Sequence, residues 1–300
     1  MDAVYRGLAL GGQVRLFVAE ATEVVRTVTG HVQTRPTASA ALGRVVTMAA
    51  LMASNLKNTE KVTLIVAGDG PLGKIVADAE RLPDGGIGAR GILDHPEVDP
   101  PPKRAGKLDV ARAVGRRGVV QVVRHIDLKA SYRGSVPLVS GEIAEDFAHY
   151  LSASEQTPSA VGLGVLVETD HTVRAAGGFL LQPVPGVSED VLRALERSLA
   201  AAPPISRMIA AGLSADALAR TLVDGEVAWL ETIPLAFRCT CSEDRARATV
   251  RLLGAEILQE EIDRGEPLEV RCAFCRRRYT LTTEELIDLR RTLEPPPPNR

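Results

Sequence analysis

The chain has 300 residues, 45% hydrophobic and 25% charged, a balance that suits a soluble globular protein with a sizeable core and excludes a disordered or fibrous one. Its formal net charge of -2 excludes the global basic field that draws nucleic acid or anionic membrane. The opening Met1-Asp2-Ala3-Val4-Tyr5-Arg6 does not read as a signal peptide and the apolar run at 45–53 is too short to span a bilayer, so a cytoplasmic protein with reduced thiols and no membrane partner is expected.

Along the chain, Val14, Leu16 and Val18 alternate with Arg15, Phe17 and Ala19, which predicts a strand; 61–67 is β-branched and apolar enough for a buried one. Between them Pro36-Thr37 opens an alanine-rich run to about Lys57 that is apolar nearly all round, as a helix inside a core must be. Further strands are expected at 119–124, 131–139, 161–168 and 173–182, and a helix at 141–153, where Ile143, Phe147 and Leu151 recur every four residues. Residues 1–182 therefore read as a mixed α+β core domain of sheet and helix.

After Gln182-Pro183-Val184-Pro185-Gly186 the pattern turns helical. Val191, Leu192, Leu195 and Leu199 mark an amphipathic helix from about Ser188, Pro203-Pro204 breaks it, and 213–222 forms another with Ser214 as its cap. Residues 183–237 are assigned to a helical connector. Beyond it, Ser242 is placed to cap a helix to Gly254, and a second is expected from Ala255 to about Arg264, closed by Gly265. Short strands at 268–271 and 278–281 precede a last helix, opened by the capping-box pair Thr282 and Glu285 with Leu281 and Leu286 at the staple positions. The prolines at 295–298 end regular structure, so 294–300 is expected to be a disordered proline-rich tail.

All four cysteines fall in the last 62 residues: Cys239 and Cys241 with one residue between them, then, after 30 intervening residues, Cys272 and Cys275 with two. Two close thiol pairs supply four soft ligands for a tetrahedral ion, which makes 238–293 a small four-cysteine zinc module with one Zn2+ per chain. Such a site contributes about 10–16 kcal/mol of apparent folding energy in small zinc modules. Most four-cysteine sites are static staples. Here the single residue between Cys239 and Cys241 favours a thiol switch instead, because a sulfenic acid on one sulfur is trapped by the other before it oxidises further.

The Cys-x-Cys, long insert, Cys-x-x-Cys ending of an otherwise cysteine-free chain resembles the redox-regulated 33-kDa heat-shock protein family of bacterial holdase chaperones. Also similar to that family are the turn Gly68-Asp69-Gly70-Pro71, the segment from Gly141-Glu142-Ile143-Ala144-Glu145-Asp146 through Tyr150 to Ser154-Glu155-Gln156-Thr157-Pro158-Ser159, and the closing strand with Ala176-Gly177-Gly178-Phe179 and Gln182-Pro183. The likeness covers roughly residues 1–293. It implies an ATP-independent holdase, inactive when reduced and zinc-bound. Peroxide or hypochlorous acid, helped by heat, would release zinc and form the disulfides Cys239–Cys241 and Cys272–Cys275. Four cysteines by themselves allow three pairings, and the neighbour pairing rests on proximity and on the family. The zinc module and the connector, a metastable linker, would then unfold, expose Val191, Leu195, Leu199, Leu218 and Leu222 to unfolding client proteins, and favour a homodimer.

Two rival readings rank lower. Phe274, Arg276, Arg277, Arg278 and Tyr279 suit a zinc-ribbon nucleic-acid-binding or regulatory module, yet residues 238–294 hold eleven arginines against twelve acids, which reads as a salt-bridged, solvated face. Gly68 to Gly73 matches a dinucleotide fingerprint with Asp94 about 20 residues on. Pro71 removes a cradling amide there, no repeated βαβ pattern surrounds it, and a glycine-rich turn between strands is the better reading. The five histidines, 31, 95, 125, 149 and 171, have neither metal nor triad spacing, and no enzymatic active site is expected.

Overall fold

The structure, a computed structural model, describes residues 1–57, 60–104, 106–125 and 131–293; the proline-rich tail expected at 294–300 lies outside the described residues. The chain divides into two compact units, Met1–Arg238 and Cys239–Arg300.

In the first unit, β1 (Ala3–Ala9) and β2 (Val14–Glu20) form a hairpin, followed by α1 (Thr22–Val32) and α2 (Pro36–Ala53). β3 (Lys61–Gly68), β4 (Lys74–Arg81) and β5 (Ile87–Leu93) make a meander, and α3 (Val110–Val114) leads to the hairpin of β6 (Gly118–His125) and β7 (Ser131–Pro137). Then α4 (Ala144–Ala153) precedes the hairpin of β8 (Ala160–Val167) and β9 (Val173–Pro183), and α5 (Glu189–Ala201), α6 (Ile205–Ala210) and α7 (Ala215–Val223) lead to β10 (Val227–Phe237). All ten strands join one sheet in the order β7-β6-β3-β4-β5-β10-β1-β2-β9-β8. Neighbours are antiparallel except β10 and β5, whose short parallel pairing, Leu235–Phe237 on Ile87–Ala89, joins the two halves.

That arrangement corrects one boundary. The last eleven residues assigned to the helical connector are a strand at the centre of the core sheet, because Val227, Trp229, Ile233 and Leu235 alternate with period two and β1 lies open to pair with them. Three helices are also shorter than their periodicity suggests. α2 stops at Ala53; α4 starts at Ala144, after Ile143 in a left-handed conformation (φ 68°); and α8 (Glu243–Arg251) ends before Gly254.

The core is built on α2. All its residues except Pro36 and Arg44 are buried, and Gly43 lets it approach Val25 and Val165 so closely that a Cβ there would stand 2.6 Å and 2.8 Å from their methyls. It is long and apolar enough to cross a membrane by composition, but its place inside the sheet's main apolar cluster makes it a core helix. On the opposite face of the β1-β2-β9-β8 half, Val14, Leu16, Val18 and Leu181 pack with Leu195, Ile205, Met208, Leu218 and Leu222 from α5, α6 and α7. This explains why β2 is buried on both faces, where its alternating pattern suggests one. The Gly68–Gly73 segment is the turn between antiparallel β3 and β4, with no helix after it, and Asp69 Oδ1 accepts the amides of Arg116 and Arg117.

The second unit holds α8, α9 (Ala255–Arg264), the two-stranded hairpin of β11 (Leu268–Arg271) and β12 (Arg278–Leu281), and α10 (Thr283–Arg291). Ser242 caps α8 by accepting the Arg245 amide, and Thr282 and Glu285 form a reciprocal capping box on α10.

Candidate metal centre

Each thiol pair sits on a short turn that local bonds hold in place. Cys239 and Cys241 occupy the extended stretch that enters α8, directly before its cap Ser242, and Arg245 Nη1 donates to Thr240 Oγ1 at 2.6 Å between them. Cys272 and Cys275 form the turn of the β11–β12 hairpin. There the Cys272 amide donates to the Arg277 carbonyl (2.9 Å), the Arg276 amide returns to the Cys272 carbonyl (2.9 Å), and Arg276 takes the left-handed conformation that closes the loop.

The four sulfurs converge: all lie within 4.8 Å of one another, with Cys239 to Cys272 at 3.7 Å and Cys241 to Cys275 at 3.4 Å, and all four are free thiols. Four sulfurs about 2.3 Å from one central ion stand roughly 3.8 Å apart in a regular tetrahedron, so the spacing fits a single ion between them. Both of these approaches join the turn before α8 to the hairpin turn, the link that a central ion would also make.

The surroundings favour thiolates unequally. Burial opposes ionisation at Cys241, but donation by Tyr279 Oη at 3.0 Å and by the neighbouring thiols outweighs it and brings Cys241 down to about 7. Burial pushes Cys275 up to about 12, the neighbouring sulfurs adding to it against an opposing bond from the Arg277 amide, and burial likewise raises Cys239 against an opposing bond from the Cys241 amide. Cys241 ionises easily while Cys239 and Cys275 resist, so holding the set together as thiolates takes a cation among them. Donors to the sulfurs, the Tyr279 hydroxyl and two main-chain amides, are the outer support such ligand sets carry.

The hydrophobic support of this unit is small: Ala246, Val250, Leu258, Leu281 and Leu286 are its buried apolar residues among those described. A core of that size does not hold a domain on its own, which is where a bound ion would supply folding energy. Cys239, Cys241, Cys272 and Cys275 thus come together, whereas the tyrosine that donates to one of them was read from sequence only as part of an aromatic and basic patch. Nothing local marks that role, because Tyr279 lies 38 residues from Cys241. The basic patch itself is partly neutralised, with Arg271 and Arg278 both on Glu269.

Comparison with known proteins gives one consistent result. The family model described as Hsp33 protein matches residues 2–282. The 33 kDa chaperonin of Geobacillus kaustophilus is 43% identical over 290 residues, covering 96% of this chain and 97% of that protein, and that of Staphylococcus aureus strain Newman is 40% identical over 286 residues, covering 95% and 96%. The crystal structure of the 33 kDa chaperonin (heat shock protein 33 homolog) of Thermotoga maritima superposes with a TM-score of 0.88 at 32% identity, covering 97% of this chain and 98% of that one.

Proposed function

The chain belongs to the Hsp33 family, and from that premise we propose that it is a redox-regulated, ATP-independent holdase whose switch is a zinc ion held by Cys239, Cys241, Cys272 and Cys275. The observation that carries this reading is the convergence of four free thiols in a unit with only five buried apolar residues among those described. Zinc, when bound, supplies the long-range staple that joins the turn before α8 to the β11–β12 hairpin.

Oxidation acts on the thiols. One thiolate of a pair attacks a peroxide oxygen, the O–O bond breaks with two electrons passing to the departing hydroxide, and a sulfenic acid forms; the neighbouring thiolate attacks that sulfur, a second hydroxide departs, and a disulfide remains. With Cys239–Cys241 and Cys272–Cys275 as products, the two turns are no longer tied to each other, and 238–293 loses its support.

The same reading makes 183–237 a metastable linker, of which the helical part up to Val223 is the detachable portion. α5 is anchored by a single buried side chain, Leu195, while α7 buries Leu218 and Leu222. Release of these helices uncovers their own leucines and the sheet face of Val14, Leu16, Val18 and Leu181, an apolar surface suited to unfolded clients and to a second copy of the chain. The holdase is placed in the cytoplasm, where zinc thiolates persist until oxidative stress, with no enzymatic, nucleic-acid or membrane role.

Titration of the reduced protein with warm peroxide tests the switch. Zinc release, followed with a chromophoric chelator, is expected to reach one ion per chain as mass spectrometry finds Cys239–Cys241 and Cys272–Cys275; a Cys241–Cys275 bond would overturn the pairing, and a metal-free reduced protein would overturn the site.

A further inference from the structure

The two ends of the ten-stranded sheet are treated differently. β7, at one edge, carries Tyr132, Arg133 and a terminal Pro137, the charge and proline that discourage edge pairing. β8, at the other, reads Ala-Val-Gly-Leu-Gly-Val-Leu-Val with no charged residue. Its free main-chain groups follow from its partner. Ala176 of β9 turns both its carbonyl and its amide toward the β2 side, where they meet the Ala21 amide (2.9 Å) and Thr22 Oγ1 (3.1 Å). By strand alternation Gly177 and Phe179 face β8 and pair with Gly164 and Gly162. The amides and carbonyls of Val161, Leu163 and Val165 therefore point outward, spanning about 13 Å of unpaired edge.

A groove of about 470 Å³ runs along this edge, walled by α2 with Arg104, Gly106, Lys107 and Leu108 on one side and by the Pro203-Pro204 turn and the start of α6 on the other. Its exposed rim residues Arg104, Lys107 and Arg207 form no ion pair with a described residue, and no acid lines the groove. Such a site combines main-chain pairing groups, apolar walls and uncompensated positive charge.

We propose that β8 is a strand-addition site for an extended, acidic segment of another protein, which would add an eleventh strand to the sheet with its carboxylates toward Arg104, Lys107 and Arg207. A second copy of this chain fits poorly, since β8 on β8 would bring the same three cations against themselves. The site belongs to the reduced protein with α6 in place, and it stands whether or not the thiols act as a switch.

The test uses the reduced, zinc-loaded full chain and a fluorescein-labelled heptapeptide of alternating Glu and Val, read by anisotropy, with a Lys-Val peptide as counterpart. The acidic peptide is expected to bind at least tenfold more tightly than the basic one. Both Leu163→Pro, which removes an outward amide, and the surface double variant Lys107→Glu with Arg207→Glu are expected to weaken it at least tenfold. If Leu163→Pro fails to fold, the double variant, checked for unchanged circular dichroism and metal content, decides alone. No binding of the acidic peptide, equal binding of the two peptides, binding unchanged in the double variant, or dimerisation abolished by blocking β8 would each overturn the proposal.

Discussion

At Cys241 the sulfur is held between a phenol and three other thiols, and this placement, more than any single bond, sets the chemistry of the cluster. Tyr279→Phe keeps the ring and deletes one donor, so metal affinity is expected to fall about 10- to 100-fold in a chelator competition, with the reduced fold unchanged. Two carboxylates carry comparable weight in the core. Asp146, fully buried, accepts the amides of Val139, Ser140, Gly141 and Ile143, and Asp146→Ala would orphan them at a cost of about 3 kcal/mol or more, read as a lowered denaturation midpoint. At Asp78 burial opposes the charge, but Lys61, Thr63 and Arg90 outweigh it and hold the carboxyl below its ordinary range. A depressed carboxylate stabilises the fold above the unfolded value of about 4, and that contribution is lost as pH falls through the folded value. The melting temperature of the core is therefore expected to fall on acidification below that point, and Asp78→Asn to lower it at pH 7 while flattening this acid limb. The cysteines were legible at this scale because thiol spacing is local. The Asp146 and Tyr279 contacts were not, since each depends on how a turn or hairpin folds back.

Secondary elements with a strong period were placed well by pattern: β11, β12 and α9 have the residues expected, and Ser188, Ser214, Ser242 and Thr282 all accept the capping amide. Elements defined by distant partners were not. β1 and β5 carry glycine-interrupted apolar runs that pattern alone does not single out, α1 likewise escapes it, β4 is implied only as the strand after the Gly68–Gly73 turn, and β10 falls in the helical connector by pattern although its period of two is visible. Its meaning comes from β1 and β5, more than a hundred residues away in sequence. The connector helices differ in how firmly they are held. α5 buries one residue where α2 buries sixteen, so its amides are expected to exchange hydrogen orders of magnitude faster than those of α2 in the reduced protein. Equal protection of the two would remove the physical basis for a detachable linker.

At the scale of the whole molecule, a large unit with two apolar clusters of its own is joined to a small one with little core. Removing metal from the reduced protein is therefore expected to unfold 239–293 while the sheet of Met1–Arg238 keeps its protection, a difference hydrogen exchange resolves; loss of the sheet at the same chelator concentration would contradict it. The fold class was readable from composition and alternation, and the joining of two half-sheets through β10 was not, because register between distant strands leaves no local mark. The most direct test of the central claim is light scattering from a heat-denatured client, comparing the reduced, zinc-loaded protein with the same protein after warm peroxide. The account predicts that only the oxidised sample suppresses aggregation and that reductant with zinc restores the inactive state. Equal suppression by both samples, or by neither, would contradict a thiol switch at Cys239, Cys241, Cys272 and Cys275.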